Sequence, residues 1–437
     1  APAESDDDEP SGEFPAPAAR GEAPAGTELR RGAYGNFLVA TRSFEAGEVV
    51  FRDRGILRPP QALPPMAMFR PVPAGVGDVA MRGDNVPEVV TFDQESLFLL
   101  YAFLQAASED QADVLAMQDH IDPESECAKC IESVAQYLHA QELPWLAHLS
   151  EELLARLLRI FDVNCFSCSA GGSGGAGTTL YKWGTIMNCS CDANVTMSSE
   201  AADGELWGVW RARRAIASGE ELCNSYASVR MELCSLEQRR HVLCWWKGFA
   251  CMCERCRFED ENGDDGRVLT CPTCSELLVW RPSAGDSAGA FVGKCGHEVT
   301  EELLREERMA VKCMVALLSA KAPQPPVVEV LARLVQHFPC DHRARRVSEL
   351  LALASEEPGE ADALDRWLHR VWECEAWFRR HNGRHVKSQS HGLGALSQCR
   401  GWIRLAELVV ERGGFLAEAC RPWLRELMTW AHEALLV

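Results

Sequence analysis

The chain has 437 residues and a formal net charge of −20, from 64 acidic and 44 basic residues. This excess of acid argues against a broad nucleic-acid-binding surface, because such surfaces concentrate lysine and arginine, and it suits a cationic partner such as a lysine-rich peptide. Hydrophobic residues make up 47% and charged residues 25%, which is typical of a globular protein of two or three domains with no membrane-spanning run.

Cysteine is unusually frequent, with 20 residues, and no basic-then-apolar secretory start is recognised. This combination predicts a reducing compartment, so we expect the protein in the cytoplasm, the nucleus or both. Several cysteines stand at C-x-C and C-x-x-C spacings, a pattern typical of zinc ligands. Zinc is therefore an expected cofactor.

Residues 1–27 are rich in alanine, proline, glycine and acidic residues, and they predict a disordered acidic tail. Two β-rich runs follow, at 37–41 and 44–51, and the glycine-containing turn in this region predicts that they form a hairpin. Strands are expected again around 195–197 and 207–210.

Helical periodicity dominates two other parts of the chain. Leucine and tyrosine residues between 97 and 104, and leucines between 153 and 158, recur at i, i+3 and i+4. Beyond residue 301 the strand signal vanishes, and three apolar stripes begin at Trp367, Trp402 and Trp423. These stripes predict an all-helical C-terminal domain of stacked antiparallel helix pairs, similar to tetratricopeptide arrays.

Two short charged runs have simple interpretations. Acidic residues at 259–261 and 264–265 predict an exposed linker, and the basic run at 342–346 predicts a solvated helix face. Neither run by itself indicates a binding site.

Four polar motifs carry the chemistry. Residues 188–194 are Asn-Cys-Ser-Cys-Asp-Ala-Asn, residues 219–222 are Gly-Glu-Glu-Leu, Tyr226 follows, and residues 251–256 are Cys-Met-Cys-Glu-Arg-Cys. In their order and spacing they resemble the signature of SET-domain protein lysine methyltransferases. The SET-and-MYND group is most similar, because of the segment around 239–253 and the helical C-terminal part. Its additional MYND zinc finger is not expected here, since no cysteine or histidine occurs between Asp53 and Ser96.

The resemblance implies an α+β fold, a SET-type β-clip of short strands with a helical insertion and a cysteine-rich post-SET zinc segment. The implied divisions are a SET domain at 28–258 with its insertion at 54–160, the post-SET segment at 245–258, a zinc-ribbon-like segment at 259–300 and the helical domain at 301–437.

The resemblance also implies the cofactor S-adenosylmethionine and the residues around it. Those residues are Gly35, Asn36, Phe37, Asn164, Asn188, Cys189, Tyr226 and Phe249. Tyr226 is the expected catalytic residue, lining the channel in which a lysine amine is positioned. Phe37, Cys189 and Ala193 stand where the family has glycine, histidine and proline.

Two sets of residues are expected metal ligands. The resemblance adds Cys191 to Cys251, Cys253 and Cys256 as a four-sulfur zinc site. A second set is Cys271, Cys274, Cys295 and His297. Its spacing suits zinc or, equally, a vestigial site whose thiols pack under a hairpin. For the C-x-x-C pairs at 127–130 and 165–168 we expect core packing, with the segment around Asn164 and Cys165 forming a strand.

The expected function is transfer of a methyl group from S-adenosylmethionine to a lysine side chain of a protein or peptide, with histones as a candidate substrate. The alternative is a catalytically weak or inactive SET scaffold that works through protein partners on its helical C-terminal domain. The exchanges at Phe37, Cys189 and Ala193 are the grounds for that alternative. Direct nucleic-acid or membrane partners are not expected.

Overall fold

The computed structural model describes most of the chain between residues 21 and 355. The described residues are 21–32, 35–57, 79–80, 89–90, 95–119, 121, 123, 125–169, 176–202, 205–226, 235–281, 289–319, 325–355, 370, 373 and 377. Residues 1–20 of the predicted tail and the three tryptophan-led stripes lie outside them. No helix in these ranges combines the length and the apolar character that a bilayer crossing needs.

Short strands and helices are both present, in agreement with the predicted mixed content. The strands are β1 Thr27–Gly32, β2 Gly35–Ala40, β3 Val49–Arg54, β4 Val79–Ala80, β5 Val89–Val90, β6 Phe166–Ser169, β7 Ala176–Thr179, β8 Asn188–Cys189, β9 Val195–Ala202, β10 Glu205–Ala212, β11 Cys223–Asn224, β12 Asp264–Thr270, β13 Leu277–Arg281 and β14 Ala290–Val292. The helices are α1 Glu95–Gln105, α2 Ser108–Leu115, α3 Glu126–Ala140, α4 Glu151–Asn164, α5 Leu236–Lys247, α6 Glu254–Asn262, α7 Glu301–Ser319, α8 Pro325–Leu334 and α9 Arg343–Ser355.

The predicted hairpin between 37–41 and 44–51 is wrong. Strand β2 pairs with the preceding strand β1, and β3 pairs with β10 from much later in the chain. The turn itself is present at Gly47, whose φ is +83°. The Gly47 amide donates to the Ala212 carbonyl at 2.7 Å, and Phe44 forms a bridge with Ile216. The turn therefore delivers β3 to β10 instead of folding it back on β2.

Trp210 on β10 is the centre of the β-sheet core. It is fully buried, and its ring stacks on Phe51 and meets Tyr181 edge-to-face. Gly184 leaves the space that this ring fills, because a Cβ built there would lie 2.3 Å from the Trp210 ring. Packing in this core therefore requires the large side chain of Trp210 and a glycine at position 184.

The segment 188–194 and the Gly-Glu-Glu-Leu segment are held side by side. Strand β8 pairs with β11 in parallel. The Asn194 side chain, which is 2% exposed, donates to the Glu220 carboxylate at 2.9 Å and to the Glu221 carbonyl at 2.8 Å. It also accepts from the Cys223 amide at 2.8 Å. A single buried amide therefore satisfies three polar groups where the two motifs meet.

Four helices occupy the expected insertion and pack around their own core. Helices α3 and α4 begin at N-cap residues Ser125 and Ser150, whose side chains accept backbone amides of the first turn. The expected strand around Asn164 is not observed, because α4 continues to Asn164 and β6 begins only at Phe166. Leucines of the predicted periodic runs are buried in this core.

Beyond the SET motifs, a three-stranded sheet packs beside helices α7 to α9. Its first strand, β12, carries Asp264 and Arg267, which pair with Arg343 of α9 and Glu307 of α7. His342 and Arg343 are 1% and 3% exposed. The expectation of a solvated basic face at 342–346 is therefore wrong for its first two residues, because they lie in a buried ionic contact.

Candidate functional site

Four cysteines from two distant segments converge next to β8. The sulfur atoms of Cys191, Cys251, Cys253 and Cys256 all lie within 4.8 Å of one another. The Cys191 sulfur is 3.8 Å from that of Cys251 and 3.5 Å from that of Cys256. A tetrahedral zinc ion with Zn–S bonds of about 2.3 Å separates its sulfur ligands by about 3.8 Å. The donor set and its spacing therefore fit zinc.

Two arginines lie beside this cluster. The buried Arg239 guanidinium lies 3.8 Å from the Cys256 sulfur and pairs with Glu259 at 2.6 Å. Arg255 donates to the Cys191 carbonyl at 3.3 Å and also pairs with Glu259, at 2.8 Å. These guanidinium groups stand beside a site that would carry a net negative charge when four thiolates bind Zn²⁺.

Tyr226 and Phe249 form an aromatic pair beside the cysteines. Their ring centroids are 6.1 Å apart and their planes are nearly perpendicular, at 87°. The Tyr226 hydroxyl donates to the Met187 carbonyl at 2.7 Å, directly before β8. Burial raises the pKa of Tyr226, so the side chain stays a neutral phenol. Cys189 packs in the same cluster.

Local sequence explains how Phe249 reaches this place. Helix α5 begins with a capping box formed by Ser235 and Gln238, and it ends at Gly248 with φ of +71°. Phe249 follows immediately, and the first cysteine of the C-x-C-x-x-C motif, Cys251, stands two residues later. The cap turns the chain and the cysteine cluster anchors it, so Phe249 is held from both sides.

Asn188 connects the two polar motifs. Its side-chain amide donates to the Glu221 carboxylate at 2.7 Å. Cys189, which replaces the family's histidine, pairs with Asn224 through the backbone of the β8–β11 ladder. The backbone arrangement at this position therefore does not depend on an imidazole side chain.

The hairpin of β1 and β2 presents Gly35, Asn36 and Phe37. Gly35 has φ of +104°, a conformation that favours glycine, and a Cβ built there would meet only the Gln118 side chain, at 3.8 Å. The Phe37 ring lies against Gly32 of β1, where a Cβ would be 3.0 Å from it. The absence of a side chain at Gly32 thus accommodates the bulk of Phe37 on the hairpin.

Asn164 closes the end of α4. Its amide donates to the Gln118 carbonyl at 2.7 Å and to the Ile160 carbonyl at 2.8 Å. Gln118 therefore bonds to Asn164 and has its side-chain oxygen near Gly35, so these two predicted residues have a common neighbour. Lys247, two residues before Phe249, donates to the Asp162 carbonyl and ties the aromatic side to the same helix end.

The motifs identified Tyr226 and Asn188 but not all their partners. Glu221 was part of the Gly-Glu-Glu-Leu motif, and its bond to Asn188 could have been anticipated from that pairing of polar residues. Met187 and Gln118 accept hydrogen bonds through their backbone carbonyls. A backbone carbonyl is present at every residue, so the sequence does not indicate these partners.

Cys271, Cys274, Cys295 and His297 also come together, with their ligand atoms within 4.8 Å of one another. Within the described part of the chain, the pairs at 127–130 and 165–168 do not join into such a group. Cys127 instead lies 3.5 Å from the Asp162 carboxylate, and burial raises the pKa of its thiol.

Comparison with known proteins supports the SET interpretation over part of the chain. Residues 35–227 match the family model described as "SET domain"; the SET-and-MYND subgroup stays a prediction. No curated protein matches the chain. One similar solved structure is the "Crystal structure of the SET domain of LSMT bound to Lysine and AdoHcy", at 12% identity and a TM-score of 0.31, over 91% of this chain and 88% of that chain. At that TM-score the likeness carries no argument about function.

Proposed function

We propose that this protein transfers a methyl group from S-adenosylmethionine to a lysine side chain of another protein. The observation that carries the proposal is the Tyr226–Phe249 pair, which packs in one cluster with the four cysteines. Tyr226 lies inside the segment that matches the SET family model, and Phe249 lies beyond it. Pairs of aromatic rings provide the narrow, apolar surroundings that a lysine stem needs.

The reaction places two demands on the residues of the site. S-adenosylmethionine, when bound, supplies an electrophilic methyl group on a sulfonium. The lysine must present a neutral amine in line with that methyl group, although its reference pKa is about 10.4. Burial beside Tyr226 and Phe249 disfavours the ammonium form, and the proton is released to solvent before transfer.

The hydroxyl of Tyr226 has a defined role in this arrangement. Its hydrogen is engaged by the Met187 carbonyl, so its oxygen offers only lone pairs to a substrate. Those lone pairs can accept an N–H of the lysine amine and turn the nitrogen lone pair toward the methyl group. The raised pKa of Tyr226 means that it positions the amine and is not a general base.

Cofactor binding fits the residues at the hairpin and at β8. Gly35, whose φ is +104°, has no side chain that would keep a ligand away from the backbone. Gly35, Asn36, Phe37, Asn188 and Cys189 would hold the cofactor, with Asn164 keeping the Gln118 loop in place beside them. Zinc on the four cysteines would hold the Phe249 segment against β8 without entering the reaction.

The proposed substrate is a class of protein, one with basic, lysine-bearing segments. A formal charge of −20 favours a basic protein or peptide through long-range attraction, with histones as candidates. A protein partner on the helical C-terminal domain, and a location in the cytoplasm or nucleus, stay predictions.

The test begins with calorimetric titration of the folded, zinc-loaded protein with S-adenosylmethionine. Saturable binding is expected, followed by transfer of labelled methyl groups to histone and peptide mixtures. Tyr226→Phe should lower the rate strongly or change the number of methyl groups added, whereas Tyr101→Phe, in the helical insertion, should not. Absence of cofactor binding would favour the inactive scaffold, and an unchanged Tyr226→Phe enzyme would remove that hydroxyl from the mechanism.

A further inference from the structure

The second group of ligand-type residues lies at one edge of the sheet β12–β13–β14. Both outer strands run antiparallel to β13, so the carboxyl ends of β12 and β14 lie at the same edge. Cys271 directly follows β12, and Cys295 stands shortly after β14. The topology therefore brings two turns together, and each turn carries two of the four side chains.

Each turn contains a residue in the left-handed conformation. In the first turn Ser275 has φ of +64°, and its amide donates to the Cys271 carbonyl at 2.9 Å. In the second turn Gly296 has φ of +67°. A serine in this conformation is strained.

Distances in the cluster match a mixed sulfur and nitrogen site. All four ligand atoms lie within 4.8 Å of one another, and the Cys271 sulfur is 3.5 Å from Nδ1 of His297. Zn–S and Zn–N bonds of about 2.3 and 2.0–2.1 Å in a tetrahedron separate sulfur from nitrogen by about 3.6 Å. Nδ1 is therefore the nitrogen in position to bind a metal.

The described part of the sheet has a small apolar interior. Its buried apolar side chains include Val268, Leu269, Leu278, Trp280 and Phe291. Closer to the start of β12, Arg267 stacks on the Trp280 ring at 3.8 Å and pairs with Glu307 of α7. Units below about 40 residues usually need a metal or a disulfide to supplement so small a core.

We infer that Cys271, Cys274, Cys295 and His297 bind a second structural zinc ion, separate from the four-cysteine cluster, which closes the edge of the β12–β14 sheet. Three thiolates and one imidazole form a donor set typical of structural zinc. Metal binding at this site does not depend on methyl transfer, so either proposal can fail without the other.

The test combines metal content with thiol reactivity in the full chain. Purified protein should contain two zinc ions per chain. Cys274→Ser and Cys253→Ser should each lower the content to one, and Cys340→Ser, an exposed cysteine outside both clusters, should leave two. His297→Cys should retain the second zinc ion and His297→Ala should lose it, which separates coordination from a general folding defect.

A measurement on the wild type avoids any folding defect of the variants. Cys274 and Cys340 are both exposed, so an alkylating reagent should modify Cys340 quickly. Cys274 should react only after a zinc chelator is added. Alkylation of Cys274 at the rate of Cys340 before chelation, a disulfide among the three cysteines, or a zinc content that Cys274→Ser leaves unchanged would each overturn the inference.

Discussion

The ion pair between Asp264 and Arg343 should be a major link between β12 and helix α9. Two parallel hydrogen bonds join the side chains, at 3.0 and 2.9 Å, and the side chains are only 1% and 4% exposed. Gly266 leaves room for the guanidinium, since a Cβ built there would lie 2.5 Å from its Nη2 atom. Burial raises the pKa of Asp264, but the charge and hydrogen bonds of Arg343 outweigh it and hold that pKa below its ordinary value.

Removing one partner should cost more than removing both. Arg343→Met leaves a buried carboxylate without its main partner, which typically destabilises a fold by about 3–5 kcal/mol. The lower end is expected, because Arg239 and Arg255 also act on Asp264. Asp264→Leu leaves a buried guanidinium and should cost a similar amount. The double variant places apolar groups on both sides and should cost much less than the sum of the two.

Urea denaturation followed by circular dichroism measures these free energies of unfolding. The control is Arg308→Met, which removes an ion pair with Glu301 whose side chains are 37% and 77% exposed, and it should change stability by less than about 1 kcal/mol. If the two single variants add in the double variant to within about 0.5 kcal/mol, the pair is not coupled and the reasoning fails.

Three other substitutions test the packing and charge of the β-sheet core and the cap of helix α5. Burial raises the pKa of Asp53 to about 6. The contribution of Asp53 to stability is therefore complete below its unfolded pKa of about 3.9 and is lost as the pH rises through 6. The unfolding free energy of Asp53→Asn should gain about 1 kcal/mol relative to wild type between pH 5 and pH 8, and a constant difference in urea denaturation would contradict this. Gly184→Ala brings a methyl group against Trp210 and should cost about 1–3 kcal/mol of unfolding free energy, whereas Gly21→Ala, with open space around it, should cost little. Ser235→Ala removes the cap of α5 and should lower the unfolding free energy by about 1 kcal/mol in the same assay; an unchanged midpoint would show that the cap is dispensable.

Short-range patterns predicted the parts of this protein that depend on neighbouring residues. The C-x-C-x-x-C motif brings three sulfurs together within six residues, and the structure places the sulfur of Cys191, which the resemblance had added, beside them. Helical periodicity located α1 and α4, because the spacing of buried leucines is a local property of the helix. The strand predicted around Asn164 was wrong, since the helix end at Asn164 and the strand start at Phe166 are separated by only one residue.

Tertiary structure alone decided which charges are buried and which strands pair. The acidic residues Glu259 and Asp264 and the basic residue Arg343 resemble solvated surface groups when the chain is read locally. Arg239, one partner of Glu259, lies 20 residues away from it, and Arg343, the partner of Asp264, lies 79 residues away. A charge is stable inside a protein only where such a partner meets it. In the same way, β3 has a neighbour only because the Gly47 turn places it beside β10. Local sequence sets the shape of each element, but contacts between distant elements determine which polar groups can leave water.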